Sequence, residues 1–124
     1  MDELKGAVSD YIRAFETLEP AEIVPFYSVP CMFLAPGHVA AVTDHDSVEK
    51  LVELLVGQAR NQGYARTEIV GMKTECLAED LGSVKGVYVR FDTEGEEIAS
   101  LGFSYIMRKI GKAWKIAVAV IHEV

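Results

Sequence analysis

The chain has 124 residues, half of them hydrophobic and a quarter charged, with a formal net charge of −7. That length suits one domain spanning residues 1–124, and the composition is too apolar for a disordered chain. The negative charge opposes phosphate backbones and anionic lipid, so neither nucleic acid nor a membrane is an expected partner. The longest apolar run, Ile116 to Ile121, falls far short of the ~20 residues a spanning helix needs.

The start, Met1-Asp2-Glu3-Leu4-Lys5, lacks the basic and apolar stretches of a secretory signal, which makes the cytoplasm the expected location. From Leu4 onward Val8, Tyr11, Ile12, Phe15 and Leu18 recur at the spacing of one helical face, predicting a helix over about Asp2 to Leu18. Pro20 opens a second, short helix that Pro25 interrupts. Past Pro30, Cys31 to Leu34 and His38 to Val42 read as two short strands around Pro36-Gly37. Asp46, with Glu49 three residues on, predicts the N-cap of a third helix, whose stripe Val48, Leu51, Val52, Leu55, Val56 and Ala59 ends near Gly63. After Tyr64 the period becomes that of strands, cut by turn clusters at 79–82, 92–95 and 109–112, which predicts four antiparallel strands in a meander. Helices gathered in the first half and strands in the second make the class α+β.

Alternation sorts the side chains of those strands into two faces. In Val84 to Phe91 the apolar set Val87, Val89 and Phe91 suits the helix-covered face, which leaves Tyr88 and Arg90 outside. In the next strand Ser100, Gly102 and Ser104 share one face, while Leu101, Phe103, Tyr105 and Met107 share the other. Turned toward the helices, the small set leaves a cavity bounded by Tyr11, Phe15, Phe33 and Phe91. The equal alternative is that Gly102 only permits curvature and the serines sit under a closely packed helix. The expected ligand contacts are therefore Tyr11, Phe15, Phe33, Phe91 and Ser104, with His38 at the mouth. With no base placed inside, the expected ligand is small, apolar and largely uncharged.

The last strand is apolar on both faces, which a sheet covered on one side only does not require. Together with Phe103, Tyr105 and Met107 from its neighbour it predicts an outer apolar face, buried in a homodimer with Tyr88 and Arg90 near the seam.

No metal and no cofactor is expected. His45 and Asp46 have no further donor at ligand spacing, and no glycine-rich phosphate loop or Ser-His-Asp pattern occurs. Cys31 and Cys76, without CxxC spacing, read as reduced core thiols.

Tyr11-Ile12-Arg13-Ala14-Phe15, Pro25-Phe26-Tyr27 and Gly111-Lys112-Ala113-Trp114-Lys115-Ile116, in this order of elements, resemble the nuclear-transport-factor-2-like (NTF2-like) superfamily. The resemblance implies a cone-shaped, curved, mixed but mainly antiparallel sheet with three helices packed in its concave face, and dimerisation through the sheet. It implies no single activity, since isomerases, cyclases, dehydratases and binding modules share the scaffold. Tyr11 resembles the helix-one tyrosine of ketosteroid isomerase, yet Ala35 and Ser104 stand where that branch carries its two acids. A proton shuttle needs a group that accepts and returns the proton, so steroid-type isomerisation is not expected. The polyketide-cyclase-like (SnoaL-like) branch carries histidine or acid in the last strand, where this chain has Ala117-Val118-Ala119-Val120 and only then His122. Three readings follow: a small-molecule-binding domain of open catalytic status, an isomerase, cyclase or dehydratase acting on a small apolar ring compound, or a non-catalytic dimeric accessory module.

Overall fold

Helix α1 (Glu3–Glu16) buries Leu4, Val8, Tyr11, Ile12 and Phe15 along one stripe, as its three-and-four spacing requires. The computed structural model describes residues 3–123, so the predicted start of this helix at Asp2 lies outside the described residues. Pro20 opens α2 (Pro20–Ile23), and Pro25 sits in a single 3₁₀ turn, Val24–Phe26, that ends it. Helix α3 (His45–Asn61) begins before the predicted cap. Asp44, not Asp46, is the N-cap, because its extended backbone aims the carboxylate at the Ser47 N–H, 2.8 Å away.

The strands are β1 (Tyr27–Ala35), β2 (His38–Val42), β3 (Tyr64–Ala78), β4 (Leu81–Asp92), β5 (Glu97–Ile110) and β6 (Ala113–Glu123). They form one six-stranded sheet in the order β2-β1-β6-β5-β4-β3. Only the β1–β6 pair is parallel. The meander is as predicted, and the chain's two halves meet where β1 joins β6. Register shifts interrupt β1–β6 between Tyr27 and Met32, β3–β4 at three places and β5–β6 between Ile106 and Met107. Such irregularities bend and twist a sheet, here around the helices.

The faces of β4 and β5 are the reverse of the sequence expectation. A Cβ on Gly82 would strike Leu4 of α1, and one on Gly86 would strike the Phe103 ring, so even-numbered β4 residues face the helices. Their cross-strand partners, Ala99 opposite Arg90, Leu101 opposite Tyr88 and Tyr105 opposite Val84, face the same way. Tyr88, Phe103, Tyr105 and Met107 are 3%, 1%, 2% and 1% exposed, core residues rather than an outer seam. Val87, Val89, Phe91, Ser100, Gly102 and Ser104 consequently point to the convex side. The physical cause is bulk: aromatic rings fill the deep space under the helices, whereas the shallow convex side accepts serine and glycine. A slip of one residue in parity moves a whole set between faces.

Cys31 is buried, and burial pushes its thiol up. Cys76 is exposed rather than in the core, because it lies in the edge strand β3 beyond the cover of the helices. No helix of the described residues is long and apolar enough to cross a membrane.

Gly86 is the tightest point of this arrangement. An added Cβ would lie 2.1 Å from the Gly71 carbonyl oxygen and 2.9 Å from the Phe103 ring. Gly86→Ala should therefore destabilise the fold by about 1–3 kcal/mol or more in denaturant unfolding. Gly102→Ala meets only the exposed ring of His122 and should cost clearly less; equal losses would contradict the assigned parity.

Candidate functional site

Between the concave sheet and the helices lies a cavity of about 300 Å³. Its floor is Tyr105 and Leu101 of β5 with Ala119 and Ile121 of β6. Tyr11 and Phe15 of α1 close one side, Leu51, Leu55, Gln58 and Gln62 on or just past α3 another, and Phe33, His38 and Ala40 of β1 and β2 the third. Tyr27, at the start of β1, and the β4 pair Tyr88 and Arg90 complete it.

Four of the six residues read from the sequence as ligand contacts thus border this space: Tyr11, Phe15, Phe33 and the exposed His38. The other two do not. Phe91 lies on the convex side with the Arg66 guanidinium 4.1 Å from its ring centre. Ser104 pairs with Lys85 and Val120, on the opposite side from Tyr105. His45 starts α3 away from the cavity, and His122 caps Gly102 on the convex face. Sequence reasoning missed Tyr27, Tyr88, Arg90 and Tyr105. The available signal was that Tyr88, Phe103 and Tyr105 are too large for a shallow face.

The polar character of the cavity comes from phenols. The Tyr11 and Tyr27 hydroxyls share a buried hydrogen bond of 2.5 Å, and the two rings meet edge to face. Tyr105 stands edge-on to Tyr11 at 6.1 Å, and Tyr88 stacks on Phe103 at 5.1 Å. Burial is the first cause raising the pKa of Tyr11, Tyr27 and Tyr105 above the ordinary phenol value, and neighbouring phenols add to it at Tyr27 and Tyr105. All three are therefore neutral at physiological pH, able both to donate and to accept.

Among the described residues that line the cavity, Arg90 brings the charge. Its guanidinium carbon is 5.2 Å from the ring centres of Phe15 and Tyr64 and 5.8 Å from that of Tyr88. Its Nε is buried with no hydrogen-bond partner. The expectation that no base stands inside is thus corrected: the parity that brings Tyr88 inward brings Arg90 with it. Among the described residues no aspartate or glutamate lines the cavity. Among the described residues no three His, Cys, Asp or Glu side chains gather as a metal site.

The buried phenols make alkaline stability a test of this geometry. Each has a folded-state value above its unfolded ~10, so its contribution is complete below about pH 10 and is lost as pH rises toward the folded value. In a titration followed by tyrosinate absorbance, at most two of the five tyrosines should ionise before the protein unfolds, since Tyr11, Tyr27 and Tyr105 are held neutral. Three or more ionising in the folded state would contradict it.

Solved structures share the architecture at low identity. A ketosteroid isomerase-like protein from Erwinia carotovora atroseptica aligns with a TM-score of 0.71 at 16% identity, over 98% of this chain and 94% of that one. An NTF2-like protein of unknown function from Shewanella oneidensis aligns at 0.73 and 13%, over 98% of both chains. One with a cystatin-like fold from Novosphingobium aromaticivorans gives 0.78 and 10%, over 98% of this chain and 80% of that one. No curated protein matches the chain. The model of a family described as NTF2-like protein (DUF6841) matches residues 2–124, so the chain belongs to that NTF2-like family.

Proposed function

We propose that this domain binds a small molecule in the concave-face cavity, with the ring or chain of the ligand against the apolar walls and its polar end toward the phenols. The observation that carries this is the cavity itself. Protein interiors pack with few voids larger than a water molecule, yet about 300 Å³ stays open here beside tyrosine hydroxyls and a guanidinium. That size lies at the lower end of ligand sites, and an apolar lining with a few polar groups is their usual make-up. A cone filled by side chains would not have such an opening.

A second reading, an isomerase, cyclase or dehydratase acting on a small apolar ring compound, draws on the Tyr11–Tyr27 pair. Two neutral phenols bonded at 2.5 Å in a site of low polarity can donate to an oxygen on which charge develops. Among the described residues that reading lacks a lining carboxylate, and His38 is the one lining imidazole.

Native mass spectrometry of freshly purified protein tests the binding reading. Wild type should carry a small-molecule adduct, or take up ring compounds from an added panel. Leu55→Trp, which projects bulk from α3 into the cavity, should abolish this with the circular dichroism spectrum unchanged. A wild-type protein that neither retains nor takes up any such compound would refute the proposal. Where a bound compound proves to be turned over, Tyr11→Phe should lower the rate by ~10²–10³-fold.

We also propose a homodimer through the convex face, moved from the residues first expected to those that lie there. Val87, Val89, Ile106, Val118 and Val120 are half-buried there, and Met32 beside Val118 is 39% exposed. Sedimentation velocity at micromolar concentration should show a dimer that Val118→Glu converts to monomer. A monomeric wild type would remove the proposal.

A further inference from the structure

Arg90 is expensive where it stands. Its guanidinium is a planar, delocalised cation that stands only partly exposed among aromatic side chains. Three aromatic rings surround it, from Phe15, Tyr64 and Tyr88, which attract a cation through their faces but offer no acceptor in the plane of the fork. The two ion pairs among the described residues, Arg66–Glu68 and Lys109–Glu3, are both elsewhere. The buried Nε has no partner at all, the only such side-chain atom among the described residues. An unsatisfied buried donor is costly, and more so when it belongs to a charged group. An apolar residue in the same aromatic cage would spare that cost.

We infer that Arg90 is a carboxylate-binding residue and that the ligand of the cavity is a small apolar monocarboxylate, its carboxylate on the guanidinium and its ring or chain between Phe33, Leu55 and Ile121. This rests on the binding role proposed above and replaces the neutral ligand with an acid. A planar carboxylate matches the guanidinium fork in shape and supplies a charged acceptor that no lining side chain among the described residues offers. The aromatic cage holds the guanidinium in place before the ligand arrives, so little side-chain freedom is left to lose on binding. Among the described residues no lining aspartate or glutamate competes for it. The acidic exterior, net −7, repels an anion at long range, but that field is screened within about 10 Å at 0.1 M salt. The contact with Arg90 is partly buried and is screened much less. Added salt should therefore speed association without abolishing binding, the reverse of a surface ion pair.

Calorimetry with a matched set decides this: naphthoate, naphthamide and naphthalenemethanol substituted at the same ring carbon, and the smaller set benzoate, benzamide and benzyl alcohol. In at least one set the acid should bind wild type at least ~10-fold more tightly than the amide, as hydrogen bonds to a charged group are worth ~1.5–3 kcal/mol. Arg90→Gln should bring the acid down to the level of the amide, and Arg90→Lys should restore only part of the difference. Acid, amide and alcohol binding equally would overturn the assignment of Arg90 while leaving the cavity a binding site. Failure of every compound in both sets would overturn the binding role and this inference with it. The comparison within wild type decides the matter even where a variant fails to fold.

Discussion

Aromatic packing between one helix and the middle of the sheet sets everything else in this molecule. Tyr11 of α1 meets Tyr27 of β1 and Tyr105 of β5 edge-on, and Phe15 meets Tyr64 in the same way. On the sheet, Tyr88, Phe103 and Tyr105 form a continuous run of rings 4.8–5.1 Å apart. Tyr88, Phe103 and Tyr105 are buried on the side roofed by the helices, and their position decides which parity of β4 and β5 faces inward. Gly86 follows from the same packing: the Phe103 ring and the Gly71 carbonyl together occupy the place of its side chain. Arg90 follows too, since it shares the parity of Tyr88 and Gly86.

A core built from phenols differs from one built of leucine because each hydroxyl must find a partner or pay for its lost hydration. Tyr11 and Tyr27 satisfy each other, and Tyr64 pairs with the Thr67 hydroxyl at 2.5 Å. These bonds tie α1 to β1 and hold the first turn of β3 in place. The same requirement keeps the site polar at points where the walls are otherwise aliphatic. A cavity here is the remainder left when rigid rings that cannot interdigitate closely meet a bent sheet.

Much of this could be read from the sequence. The helical stripes of α1 and α3, the proline-broken α2 and the three hairpin turns follow from spacing and from turn residues, signals that are local. The cap of α3 fell to Asp44 instead of Asp46 because both aspartates precede a helical stripe, and backbone conformation chose between them. Face assignment failed for a different reason. A period of two separates Ser100, Gly102 and Ser104 from Leu101, Phe103 and Tyr105, but it carries no sign that says which set looks inward. Small residues were taken to make room for a site, whereas the room lies between large ones. In β6, where both faces are apolar, alternation could not decide which set looks inward.

The corrected parity changes the chemistry more than the fold. With the serines inside, the cavity would be neutral and open, and a polar ligand would have only weak hydroxyl contacts. With Tyr88 and Arg90 inside, it has a fixed positive charge against aromatic faces and neutral phenols beside it. Those two features act on different parts of a ligand: the guanidinium favours an acid in the ground state, whereas phenols favour an oxygen that gains charge during reaction. A site with both can bind without catalysing, because no lining carboxylate supplies a base. For turnover to evolve or to occur here, the proton acceptor has to come from His38 at the rim or from the ligand's own carboxylate held against Arg90.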